Sequence, residues 1–207
     1  MDALGILDFA GVALFAATGA LAASRKQLDI IGFAFLATVT GIGGGTARDL
    51  ILGVPVFWVM QPVYILVCVA TALVIYVAAH LIESRFRWLL WLDAMALSAY
   101  GVFGAHKGLE VTGSAVVAVV MGMMTGTLGG ILRDVLANEP SVLLRREIYI
   151  SAALVGAAGY LGAHAVGLPL PAAAGAGFAA AFALRSGALA FGWRLPQYRP
   201  RPGRDPH

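Results

Sequence analysis

Charge is scarce in this sequence. Of 207 residues, 14 are Lys or Arg and 11 are Asp or Glu, so only 12% are charged, whereas a soluble domain carries about 25%. Hydrophobic residues make up 60%, and mean hydropathy is +0.85. That balance excludes an ordinary water-soluble domain and indicates an integral membrane protein. Cysteine is nearly absent. Cys68 stands alone inside an apolar run, which rules out an intrachain disulfide and a cysteine metal cluster. No basic region precedes the first apolar segment, which runs to about Ala23, so it is expected to stay as a membrane span rather than be removed as a secretory signal. A P-loop and a GxSxG nucleophile elbow are missing too, and with them the commonest signatures of nucleotide and ester hydrolysis.

What is present is a series of apolar stretches. Seven of them, roughly 3–23, 28–52, 58–82, 88–106, 113–137, 147–166 and 169–192, approach or exceed the ~20 residues that a helical span needs. The expected fold is therefore an all-α membrane protein with seven transmembrane helices, followed at 194–207 by a Pro/Arg-rich tail expected to be disordered. The net charge of +3 and pI near 9.3 do not point to nucleic acid, because the basic residues sit in short clusters between spans. Arg25, Lys26, Arg85, Arg87, Arg145, Arg146, Arg194, Arg199, Arg201 and Arg204 fall on one side of a seven-span arrangement, and only Lys107 on the other. The positive-inside rule places that side in the cytoplasm, with the N-terminus outside and the C-terminus inside. Trp58, Trp88, Trp91 and Trp193 lie near span ends, where aromatic belts form.

The second span ends in Gly41-Ile42-Gly43-Gly44-Gly45-Thr46-Ala47-Arg48-Asp49, and the chain reaches Pro55 soon after. The pattern returns 85 positions later: Gly126, Gly129, Gly130, Arg133, Asp134 and Pro140 match Gly41, Gly44, Gly45, Arg48, Asp49 and Pro55 without a gap. The same offset pairs Asp8 with Asp93, Gly19 with Gly104 and Tyr64 with Tyr149. The chain thus reads as a duplication, with a first three-helix repeat at 1–87, a second at 88–167 and a seventh helix at 168–193. Three spans per repeat is an odd number, so the second copy enters the membrane inverted, a plan used by transporters with sites near the midplane.

Each unusual residue admits two readings. The glycines Gly43, Gly44, Gly45, Gly129 and Gly130 either let helices pack closely or break the second and fifth spans, exposing backbone carbonyls to a water-lined path. Arg48, Asp49, Arg133 and Asp134 are ionisable groups close to apolar sequence, a costly placement that marks a latch or a functional path. Neighbouring positions do not face each other on a helix, so the expected ion pairs cross between repeats, Arg48 with Asp134 and Arg133 with Asp49. Asp8 and Asp93 either cap helix starts or draw cations to the two mouths of a pore. Tyr64 and Tyr149 are expected to pack with a hydroxyl partner, Arg185 to snorkel toward the cytoplasmic interface, and His80 and His164 to be no metal ligands, having no partner at ligand spacing. An aspartyl protease is disfavoured by the Arg beside Asp49 and beside Asp134 and by the absence of a GxGD sequence.

GIGGGTARDLILGVPVFW, with a second glycine–RD element and a three-plus-three-plus-one span plan, resembles the trimeric intracellular cation channels in their prokaryotic branch. The resemblance covers the chain apart from its tail. It departs at Leu128, which stands where the first copy has Gly43. It implies a homotrimer in the inner membrane, with one pore per protomer. It also implies permeation by monovalent cations, chiefly potassium with sodium besides, without a cofactor and without a nucleic-acid partner. It places the kinked second and fifth helices along the pore, with Gly43, Gly44, Gly45, Gly129 and Gly130 lining it and Arg48 and Arg133 close by. The competing reading is a secondary transporter of a small solute such as an amino acid, since inverted repeats with broken helices also build transporters.

Overall fold

A computed structural model describes residues 3–81, 84–142 and 148–196. The basic residues Arg145, Arg146, Arg199, Arg201 and Arg204, and the expectation of a disordered tail from Gln197 onward, lie outside the described residues. The fold is all-helical: α1 (Ala3–Arg25), α2 (Ile30–Leu52), a single turn α3 (Phe57–Met60), α4 (Val63–Ala78), α5 (Arg85–Thr112), α6 (Ala115–Leu136), α7 (Ile150–Ala165) and α8 (Leu170–Phe191). Five described helical stretches are long and apolar enough to cross a membrane: Ile30–Leu52, Val63–Leu81, Arg85–Thr112, Ala115–Leu136 and Leu170–Phe191.

Local chemistry sets the helix ends. The Asp29 carboxylate accepts the Gly32 N–H at 2.8 Å and opens α2, and the Ser114 hydroxyl accepts from Val117 to open α6. Gly53 closes α2 in the left-handed region at φ 66°. Its counterpart beyond α6 is Asn138, at φ 47°, the other residue type that visits this conformation readily. The stretch expected as one span from 58 to 82 is divided, because Pro62 supplies no N–H and biases Gln61 away from helix. One expected span thus becomes α3, a bend and α4. Conversely α5 runs to Thr112, past the expected end at 106. Lys107 and Glu110 end up near the helix terminus, where polar side chains reach water.

Helices α1 and α5 form the centre. Two-thirds (67%) of the apolar window of α5 is buried, against 22% for the window that contains α4. The core joins Val12, Phe15, Ala16, Leu36, Tyr64, Cys68 and Tyr100 on one side and Leu97, Tyr149, Ala152 and Ala153 on the other. The periphery exposes Ile31, Phe35, Leu66, Val74 and Val77, an apolar coat that suits lipid. Helices α1 and α5 run in opposite directions. Arg25 at the end of α1 lies over the Phe86 ring at 4.6 Å, and Arg85 at the start of α5 donates to the Ser24 carbonyl at 3.4 Å. Arg25 also pairs with Glu139 beyond α6 at 2.9 Å, so Arg25, Lys26 and Arg85 gather at one end.

Candidate functional site

The site begins where α2 crosses α6. A Cβ on Gly44 would collide with the Thr125 carbonyl, and one on Gly129 would sit 2.6 Å from the Thr40 carbonyl. These are the same contact seen from each side, since Thr40 and Thr125, like Gly44 and Gly129, are 85 apart. Both threonines bond back along their own helices, to the Leu36 and Met121 carbonyls at 2.6 Å each. The neighbouring glycines admit other groups: Gly43 faces Leu132, Gly45 the Phe57 ring, and Gly130 the Tyr149 hydroxyl and Asp93. The expected breaks at Gly43–Gly45 and Gly129–Gly130 are not found, because α2 and α6 are helical throughout. Here glycine permits two backbones to meet without forcing either helix to open, and the carbonyls stay within the helices instead of facing a path.

The charges next to this crossing are almost wholly buried, with exposures of 2%, 1%, 2% and 4% for Arg48, Asp49, Arg133 and Asp134. The crossed pairs do not form. Arg48 donates from Nε and Nη2 to its own neighbour Asp49, at 2.8 and 2.7 Å. Arg133 does the same to Asp134, at 3.0 and 2.9 Å. The Cβ directions of adjacent residues diverge, but the long arginine stem folds back and the guanidinium fork meets the carboxylate side-on. The other oxygen of each aspartate accepts a backbone amide eight residues on, Phe57 N–H at the start of α3 for Asp49 and Val142 N–H for Asp134, both at 2.9 Å. Each Arg–Asp pair therefore ties the end of its helix to the segment that follows it.

Asp8 and Asp93 do not cap helix starts, lying inside helices that begin at Ala3 and Arg85. They are buried, at 5% and 1% exposure, and face inward from α1 and α5. The Tyr64 hydroxyl donates to Asp8 at 2.5 Å and the Tyr149 hydroxyl to Asp93 at 3.4 Å, which gives both tyrosines the partner expected of them. Arg133 Nη1 bridges Asp93 at 2.7 Å and the Thr18 hydroxyl at 3.0 Å. Tyr100 donates to Asp8 at 3.0 Å. Thr18 and Tyr100 were invisible as site residues in the sequence, where they read as ordinary members of apolar spans. Arg185 does not snorkel. It is fully buried, with Nη1 donating to the Ile148 carbonyl at 3.2 Å and Cζ 5.1 Å from the Tyr149 ring centroid, because a carbonyl and an aromatic face receive it inside the bundle. Among the described residues no group of three or more His, Cys, Asp or Glu is placed to hold a metal ion.

Comparison with known proteins adds four likenesses. A family model described as Glycine transporter matches residues 5–80 and again 90–165, so both ends of the match are displaced by 85 positions (5 to 90, 80 to 165). The chain is 36% identical over 197 residues to a UPF0126 membrane protein of Vibrio cholerae serotype O1, covering 94% of this chain and 82% of that one. It is 35% identical over 195 residues to the UPF0126 inner membrane protein YadS of Escherichia coli K12, covering 93% and 94%. Among solved structures it is similar to the trimeric intracellular cation channel orthologue from Rhodobacter sphaeroides, at 51% identity and a TM-score of 0.90, covering 93% of this chain and 100% of that one.

Proposed function

The chain belongs to the prokaryotic branch of the trimeric intracellular cation channel family, and from that membership we propose that it conducts monovalent cations, potassium chiefly and sodium besides. One pore runs through each protomer of a homotrimer set among membrane lipids, and passive permeation requires no cofactor. The likeness to the Rhodobacter sphaeroides channel, at a TM-score of 0.90, carries this reading. The buried charges support it. Asp8, Asp49, Asp93 and Asp134 stand against Arg48, Arg133 and Arg185, so the buried groups include one more carboxylate than guanidiniums and their field favours cations. The ion pairs remove the difficulty of arginines beside a cation path, since each arginine is neutralised by its own neighbour.

The path in this reading follows α2 and α6 past their crossing, with Gly43, Gly44, Gly45, Gly129 and Gly130 lining it through close packing and not through a break. Arg48, Asp49, Arg133 and Asp134 control it from alongside. Two inverted repeats, 1–87 and 88–167, surround a two-fold axis near the membrane plane, and 168–193 forms the seventh span. The opposed directions of α1 and α5 and the double match of the family model support that plan. The end bearing Arg25, Lys26 and Arg85 faces the cytoplasm, which leaves the N-terminus outside and the C-terminus inside.

A second reading, transport of a small solute such as an amino acid, rests on the description of the matching family model as Glycine transporter. Purified protein in proteoliposomes separates the two. Accumulation of labelled rubidium driven by an outward potassium gradient, with no saturable glycine uptake, is the expected result. Saturable glycine uptake without rubidium flux would overturn the channel.

A further inference from the structure

Arg48 and Arg133 hold equivalent places in the two repeats, yet their partners differ. Arg133 has a partner at every nitrogen, with Nε and Nη2 on Asp134 and Nη1 on both Asp93 and Thr18. Arg48 has Nε and Nη2 on Asp49, but its buried Nη1 has no hydrogen-bond partner among the described residues. A buried N–H without an acceptor bears the full cost of its desolvation, so this arrangement favours any nearby position that supplies one.

The sequence accounts for both missing bonds. The residue equivalent to Thr18, 85 positions on, is Phe103. Arg48 Cζ lies 5.1 Å from the Phe103 ring centroid, so a ring stands where Arg133 finds a hydroxyl. The residue equivalent to Asp93 is Asp8, which takes the hydroxyls of Tyr64 and Tyr100. Tyr64 does not make the difference, because its counterpart Tyr149 also bonds its aspartate. Tyr100 does, because its counterpart is Phe15, which has no hydroxyl. Gly11 lets the Tyr100 ring reach Asp8: a Cβ at Gly11 would overlap that ring, and the equivalent position already carries one in Ala96. Phe15 and Tyr100 meet edge to face at 5.6 Å, where the two repeats come together. Arg48 lies close to Asp8 through one aromatic pair: its Cζ is 5.8 Å from the Phe57 ring centroid, and that ring meets edge to face, at 4.8 Å, the Tyr64 ring whose hydroxyl donates to Asp8.

We propose that Arg48 is the movable arm of the pore and Arg133 its fixed counterpart, and that Tyr100 and Phe103 are positioning residues that hold Arg48 away from Asp8. The second position of the arm is the one Arg133 already displays, with Nη1 on the aspartate of the first helix of its own repeat. In that position Arg48 clasps α2 to α1 as Arg133 clasps α6 to α5, and the pore is closed. The proposal rests on the channel reading for its functional part alone.

The test is to give Arg48 the surroundings of Arg133 through the double change Tyr100→Phe and Phe103→Thr. An experimental structure of the variant is expected to show Arg48 Nη1 within about 3 Å of an Asp8 oxygen and of the introduced hydroxyl. Bilayer recordings are expected to show open probability reduced about tenfold, the worth of one charge-assisted hydrogen bond, at unchanged unitary conductance. The mirror change, Phe15→Tyr with Thr18→Phe, should release Arg133 Nη1 from Asp93. Arg48 remaining on Asp49 alone in a folded variant overturns the arm. Arg48 moving to Asp8 with open probability unchanged overturns its part in gating. Absence of current from the unmodified protein refutes the channel reading and leaves the structural result to decide the arm by itself. If the double variant does not fold, Tyr100→Phe alone is held to the same criteria.

Discussion

At the scale of single residues, the two clasps differ in how much depends on them. Removing Arg133 strands two buried carboxylates, Asp93 and Asp134, whereas removing Arg48 strands Asp49 alone. Breaking a buried pair from one side costs about 3–5 kcal/mol. Arg133→Ala is therefore expected to lie at the top of that range and Arg48→Ala below it, measured by unfolding in detergent. A double-mutant cycle should give a coupling of about 1–3 kcal/mol for Arg133 with Asp93, and none beyond about 0.5 kcal/mol for Arg48 with Asp134. A reversal of those couplings would restore the crossed pairs. The charged members of this cluster were legible in the sequence, because an ionised group in an apolar run is costly enough to be noticed. Their partners were not. The rule that adjacent helical positions face apart concerns Cβ directions, and arginine is long enough to fold back past it. Thr18 and Tyr100 carry no charge, and only their contact with Arg133 and Asp8 reveals them.

At the scale of elements, the contact between α2 and α6 depends on the absence of two methyl groups. Gly44→Ala would place a Cβ against the Thr125 carbonyl, a backbone atom that cannot swing aside, and overpacking of this kind costs about 1–3 kcal/mol. Gly162→Ala in α7 meets nothing within 4 Å, and should be neutral or stabilising by about 0.5–1 kcal/mol through helix propensity. Thermal unfolding of the two variants side by side checks this, and equal destabilisation would mean that the crossing is not tight. The positions of the long helices followed from hydropathy, which reports apolar length well. Continuity through the glycines did not, because a run of glycine weakens a helix in isolation, while here the packing that it allows holds the helix together. The division at Pro62 likewise depends on one missing N–H within a stretch that is apolar on both sides.

At the scale of the whole molecule, the duplication is the feature that the sequence displayed most openly. A gapless offset of 85 links Arg48 to Arg133, and the same offset links the contacts Asp8–Tyr64 and Asp93–Tyr149, Asp49–Phe57 and Asp134–Val142. The departures from symmetry, at Phe15 and Tyr100 and at Thr18 and Phe103, could be read only once the two halves were seen facing each other. For orientation, a reporter fused after Arg194 is expected to be active in the cytoplasm, following the side to which Arg25, Lys26 and Arg85 are assigned. Activity outside would invert the arrangement. The central claim is cation conduction, and the most direct measurement is the reversal potential of unitary currents from the purified protein in a planar bilayer under a potassium chloride gradient. The account predicts discrete openings that reverse close to the potassium equilibrium potential. Reversal near the chloride potential, or a silent bilayer from correctly folded protein, would contradict it.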